Sequence, residues 1–141
     1  KGEKRVTMEV ETKYVDGIAF EMNPGSFTIP MDGDPKFGGK NKGATPKQIL
    51  LGALAGCTGM DVVSILKKMK VSFLEFSIKV QAEKSQTEPI VFTKIHIQYI
   101  FNKVSDKDKA QKAVELSQEK YCGISNMLKK AAEVTWELVY K

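Results

Sequence analysis

Thr45-Pro46-Lys47-Gln48-Ile49-Leu50-Leu51-Gly52-Ala53-Leu54-Ala55-Gly56-Cys57 is the stretch on which the reading of this chain turns. Thr45 is a helix-capping residue, Pro46 suits the first helical position, and Gln48 completes a Thr-x-x-Gln capping box. The pattern predicts a helix from Thr45 to about Met69, roughly 35 Å long at 1.5 Å per residue. Ile49, Leu50, Leu51, Leu54, Val62, Val63, Ile65 and Leu66 spread over most of its circumference. A helix apolar on almost every side is a buried one, so this is expected to be the central helix. Gly52 and Gly56 inside it each cost about 1 kcal/mol relative to alanine. With Ala53 and Ala55 they form a low stretch where a second helix is expected to cross closely, with a partner subunit as one source of that helix.

Outward from the helix, the N-terminal third reads as β. Arg5 to Lys13 alternates, with Val6, Met8 and Val10 on one face. Asp16-Gly17 is a hairpin signal, Ile18 to Met22 a second strand, and Ser26 to Pro30 a third after the Asn23-Pro24-Gly25 turn. Met31 to Ala44 is a glycine-rich loop, expected to be mobile and long enough to carry function. Beyond the helix, Val71 to Gln81 and Ile90 to Asn102 are strand-like. Ser105 is expected to cap a helix from Asp106 to about Lys120, Tyr121-Cys122-Gly123 interrupts it, and Ser125 restarts it. Glu133 to Tyr140 closes the chain as a strand with Val134, Trp136 and Leu138 on one face. The order βββ-α-ββ-α-α-β predicts an α+β fold, one domain over residues 1–141.

Composition excludes several classes of function. With 28% charged and 42% hydrophobic residues the chain is globular rather than disordered. No run of about 18 apolar residues stands out, so no membrane-crossing helix is expected. Lys1-Gly2-Glu3-Lys4-Arg5 lacks the apolar segment of a signal peptide. The net charge of +5 gathers in short lysine patches (Lys36/Lys40/Lys42, Lys67/Lys68/Lys70, Lys129/Lys130) without a nucleic-acid-binding motif, so solvated surface is the better reading. Two distant cysteines do not make a zinc site, and no metal is expected. The single histidine, His96, alternates with Lys94 and Gln98 on a polar strand face, which argues against a Ser/His/Asp hydrolase.

Cys57 and Cys122 are the only cysteines, and each has two readings. Taken alone, Cys57 reads as a small buried hydrophobe. Asp61, one turn on, would raise its pKa, and the helix N-terminus is too distant to lower it. Cys122 lies at a helix break, where amides of the next N-terminus favour an anion, so local sequence makes it the more acidic thiol. The two can bond only if their α-carbons come within about 7 Å.

Three blocks resemble the OsmC/Ohr family: Thr45-Pro46-x-Gln48 through Cys57, Phe92-Thr93-Lys94-Ile95-His96, and Cys122-Gly123-Ile124-Ser125-x-x-Leu128. The segment from Gly56 to Lys68 is most like the OsmC-like subgroup of unassigned role. The resemblance implies an intertwined homodimer, with N-terminal strands paired across subunits, central helices packed together and two sites at the interface. It implies a thiol peroxidase that reduces small organic hydroperoxides without metal, haem or other cofactor. In that scheme Cys57 becomes a sulfenic acid, Cys122 condenses with it to a disulfide, and a dithiol reductant resets the pair. The family's activating arginine comes from the N-terminal hairpin, whereas the only arginine here is Arg5. Ten residues before the cysteine, where the family has glutamate, stands Lys47, followed by Gln48. Lys47 and Gln48 are the candidate polar groups of the substrate pocket. The rival readings are a small-ligand-binding protein on the same scaffold and a different thiol-exchange activity. The expected compartment is the cytoplasm, where a catalytic disulfide is transient and neither membrane nor nucleic acid is a partner.

Overall fold

The computed structural model describes residues 6–141. The chain divides into two compact units, Lys1–Leu50 and Leu51–Lys141.

The first unit carries an antiparallel sheet of β1 (Glu11–Tyr14), β2 (Phe20–Asn23) and β3 (Ile29–Met31) in that order. The β1–β2 loop is closed by Val15 N–H to Ala19 O (3.0 Å) and Ala19 N–H to Asp16 O (2.8 Å). Gly17 takes φ +57°, a conformation that favours glycine. The first strand was expected from Arg5. Arg5 lies outside the described residues, and β1 begins only at Glu11. The reason is its partner: Glu11 pairs with Asn23, the last residue of β2, and Pro24 beyond it has no N–H to continue the ladder.

The Met31–Ala44 loop is not the loose segment that its glycines imply. Asp32, almost fully buried, accepts hydrogen bonds from the N–H groups of Gly33 (2.7 Å), Lys40 (2.9 Å) and Lys42 (3.2 Å). The loop therefore folds back on one carboxylate. A Cβ on Gly39 would collide with the Gly33 carbonyl, and one on Gly43 with that of Pro30. Those glycines serve close packing.

The second unit holds a sheet of β4 (Glu75–Lys84), β5 (Phe92–Asn102) and β6 (Glu133–Tyr140). Strands β4 and β5 are antiparallel; β5 and β6 are parallel. Their connection carries helix α2 (Lys107–Leu116), a wide π turn (Ser117–Tyr121) and α3 (Gly123–Leu128), while α1 (Pro46–Lys68) supplies the long helix. The element order and the α+β class agree with the sequence reading. The α2 cap differs: Asp106 accepts from Lys109 N–H (3.0 Å), while Ser105 Oγ accepts from Ser72 N–H (2.9 Å). Likewise α3 starts at Gly123, capped by Cys122, rather than at Ser125.

Ile95, Ile97, Tyr99 and Phe101 alternate along β5 and are buried with Leu54, Val62, Leu66, Ala110, Ala113 and Val114. Each large apolar side chain there contributes about 1.5–3 kcal/mol. Helix α1 departs from expectation. It buries one stripe only, Leu54, Thr58, Val62 and Leu66 at i, i+4 spacing, while Leu50 and Met60 are exposed. Gly52 and Gly56 have nothing within 4 Å of a would-be Cβ, so no second helix among the described residues crosses there. Other apolar residues of the helix, such as Leu51 and Ile65, are half-buried. By length and composition alone α1 passes the test for a membrane-crossing helix, because its glycines and alanines keep the segment apolar between the leucines. In this fold its buried stripe packs into the core of the second unit.

Candidate active site

The capping box forms as the sequence predicts. Thr45 N–H donates to Gln48 Oε1 (2.9 Å), and Gln48 N–H to Thr45 Oγ1 (3.2 Å). It fixes the start of α1, and periodicity does the rest: Thr58 falls on the buried stripe and Cys57 beside it, half-buried. Gln48 thus has its side-chain oxygen engaged at the helix start. Lys47 is exposed and forms no ion pair among the described residues.

Cys122 arrives from the other direction. The turn from Ser117 to Tyr121 is wide: Cys122 N–H reaches back five residues to Ser117 O (2.7 Å). Cys122 then caps α3, its Sγ accepting from Ser125 N–H (3.3 Å). Both cysteines are free thiols, and Cys57 lies near enough to Cys122 to help raise its pKa. The structure brings together the two residues that the sequence singled out for chemistry.

Their electrostatics reverse one expectation. Burial pushes the Cys122 thiol up from 9.0 to about 11, against the opposing pull of the Ser125 N–H, with Cys57 and Asp61 adding to the rise. The helix-terminal amide predicted for Cys122 is present, but desolvation of the thiolate outweighs it. Cys122 is therefore a neutral thiol at physiological pH.

Around the pair runs a buried polar network that the sequence reading missed. Thr58 Oγ1 lies 2.7 Å from both Tyr99 OH and Ser117 Oγ. Ser117 Oγ donates to Asp61 Oδ2 (3.0 Å), Gln118 Nε2 donates to Tyr99 OH (2.7 Å), and Ser125 Oγ donates to Gln118 Oε1 (2.6 Å). Burial raises the Tyr99 pKa, so it stays a neutral phenol. No buried side-chain nitrogen or oxygen lacks a partner among the described residues. Tyr99 was legible as a hydroxyl set among Ile95, Ile97 and Phe101 on the inward register of β5. Gln118 was not, since the π turn shifts the helical register that would have placed it.

His96 lies away from the thiols on the outer sheet face, as its alternation predicts, with Nδ1 2.7 Å from Thr135 Oγ1 and Nε2 2.7 Å from Glu137 Oε2. The hydrogen bond from His96 holds the Glu137 carboxyl below its usual range. An open apolar groove of about 680 Å³ runs beside α1, lined by Gly56, Met60, Val63, Phe76 and Ile78 with Lys67 at its margin.

Residues 39–137 match the family model described as OsmC-like protein, and this chain belongs to that family. It is similar to Protein YhfA of Escherichia coli (strain K12), 35% identical over 130 residues, covering 91% of this chain and 94% of the relative. A hypothetical protein from Aquifex aeolicus VF5 superposes with a TM-score of 0.81 at 26% identity, covering 97% of this chain and 99% of that one. An organic hydroperoxide resistance protein OsmC from Legionella pneumophila shares the fold, with a TM-score of 0.72 at 15% identity over 97% of this chain and 99% of that one.

Proposed function

We propose that this protein is a cysteine-based thiol peroxidase that reduces small organic hydroperoxides in oxidative-stress defence. The observation that carries the reading is the juxtaposition of Cys57 and Cys122 as free thiols, one half-buried and one buried. Family membership and the shared fold of the Legionella pneumophila protein support it.

Each step balances. The Cys57 thiolate attacks the terminal peroxide oxygen; the O–O bond breaks, the alkoxide takes a proton and leaves as alcohol, and Cys57 becomes a sulfenic acid. The Cys122 thiol then attacks the Cys57 sulfur. The S–S bond forms, the S–O bond breaks, and hydroxide leaves as water with the thiol proton. A neutral Cys122 suits this order, since it is the weaker nucleophile toward peroxide yet brings the proton that the leaving hydroxide needs. A dithiol reductant returns both cysteines to thiols. Lys47 and Gln48 remain proposed contributors to the substrate pocket, with Gln48 limited to its amide nitrogen by the capping box.

The assembly proposed for this activity is a homodimer. The uncovered side of α1, including Met60, and the exposed Val6 and Met8 are the apolar surfaces that a second copy would bury.

Stopped-flow titration of the reduced protein with cumene hydroperoxide tests the reading. Loss of two thiols per chain with a Cys57–Cys122 disulfide by mass is expected. Thiols that stay reduced for minutes under excess peroxide would overturn it in favour of a second reading, a small-ligand-binding protein. That reading draws on the 680 Å³ groove and on the lack of any arginine among the described residues to activate Cys57.

A further inference from the structure

We propose that Gln118 and Ser125 are positioning residues that hold the Cys122 thiol opposite Cys57, anchored by Tyr99 and Thr58. The inference deepens the dithiol reading and rests on it.

The argument begins with the backbone. In an ordinary α turn Cys122 N–H would donate to the Gln118 carbonyl, four residues back. Here it donates to Ser117 O, and the freed Gln118 carbonyl accepts from Lys129 Nζ (2.6 Å). The wide turn places Cys122 at the cap of α3 instead of continuing α2. Such single wide turns cost regular hydrogen bonding and recur at functional sites.

The side chains then lock that turn. Gln118 is 1% exposed, and both ends of its amide are used. Its Nε2 donates to Tyr99 OH on β5 and lies 3.5 Å from Thr58 Oγ1 on α1, the residue next to Cys57. Its Oε1 accepts from Ser125 Oγ, and Ser125 N–H is the group that meets Cys122 Sγ. Four elements thus meet through one amide: the helix bearing Cys57, the central strand, the wide turn and the helix capped by Cys122.

The network also has a single direction. The Gln118 amide nitrogen only donates, and the Asp61 carboxylate at the far end only accepts. Between them Tyr99 must donate to Thr58, Thr58 to Ser117, and Ser117 to Asp61, so each hydroxyl passes its one proton in the same direction. Apolar residues would fill this space without the desolvation that buried hydroxyls and an amide require. A satisfied polar network instead fixes one geometry, and the geometry it fixes is that of the thiol pair.

The test is the equilibrium of the Cys57–Cys122 disulfide against reduced and oxidised glutathione, measured by thiol trapping on the full chain. Each disulfide formed consumes one oxidised glutathione and releases two reduced ones. Ser125→Ala and Tyr99→Phe are expected to lower the equilibrium constant roughly tenfold, as looser placement of one buried hydrogen-bonded group implies. Ser125→Thr, which restores the hydroxyl, should recover it. Ser105→Ala, which removes the hydrogen bond to Ser72, should leave it unchanged at a matched loss of urea resistance. If Ser125→Ala does not fold, Tyr99→Phe carries the comparison. Variants that match the wild type would overturn the positioning role while leaving the dithiol pair standing. A wild-type chain that forms no intramolecular disulfide would overturn both.

Discussion

Cys57 and Cys122 are the same side chain in two environments. Cys57 rides on a long, regular helix one residue from its buried stripe, half in contact with the outside. Cys122 sits where a helix has been widened and restarted, sealed under the core, with a backbone amide aimed at its sulfur. Local sequence favours Cys122 as the more acidic thiol, while the fold makes it a reluctant acid near 11. The lesson is that a helix-terminal amide can pull a thiol's pKa down and still lose to the desolvation of the thiolate when the sulfur is buried.

The sharpest way to break this contrast is to remove each sulfur in turn. Cys57→Ser is expected to abolish hydroperoxide consumption. Cys122→Ser should keep one round of reaction and accumulate a sulfenic acid that dimedone traps on Cys57. Equal behaviour of the two variants in stopped flow would erase the division of labour. A second test is pH. In Cys57→Ser, alkylation of Cys122 by iodoacetamide at pH 8 should still run slower than in the urea-unfolded chain, because burial, the main cause of the raised pKa, is kept while the share due to Cys57 is removed. The rate should go on climbing with pH past 9.0, the ordinary thiol value. The sign of the stability effect follows. Below 9.0 the thiol is neutral in both states; between 9.0 and about 11 only the unfolded chain loses the proton, so stability falls with rising pH across that window. Urea midpoints that stay flat from pH 9 to 10.5 would contradict this assignment.

Smaller effects sharpen the comparison further. Thr58→Val keeps the shape of the buried stripe but takes away the acceptor of the Tyr99 hydroxyl and the donor to Ser117, and should cost about 1–3 kcal/mol in urea unfolding. Gln48→Ala removes half of the capping box and should cost about 1 kcal/mol or less. A change in KM of that variant beyond its stability loss would mark Gln48 as a substrate contact as well as a cap.

Much of the frame was legible because it is written locally. Thr45, Pro46 and Gln48 lie within one helical turn and act on each other, so the start of α1 could be read to the residue. The alternation of Ile95, Ile97, Tyr99 and Phe101 likewise reports one face of one strand. What escaped depends on partners far away in the chain. Where β1 begins is decided by where β2 ends. How much of α1 is covered depends on what packs against it, which the leucines alone do not say. The Ser117–Tyr121 turn is widened by acceptors and donors on Thr58 and Lys129, and its five residues carry no signature of their own. The cysteine pair was found from its sequence blocks, whereas the polar network that joins them needed coordinates.

The parallel pairing of β5 with β6 has a consequence for how the molecule comes into being. Parallel neighbours oblige the chain to travel the length of the sheet between them, and Cys122 lies on that return path. Until the last strand docks, the path has no far anchor, and contacts so distant in sequence form late. During synthesis Cys57 leaves the ribosome well before its companion. The newborn chain therefore carries a lone sulfur with no internal counterpart, and the matched couple exists only in the finished molecule.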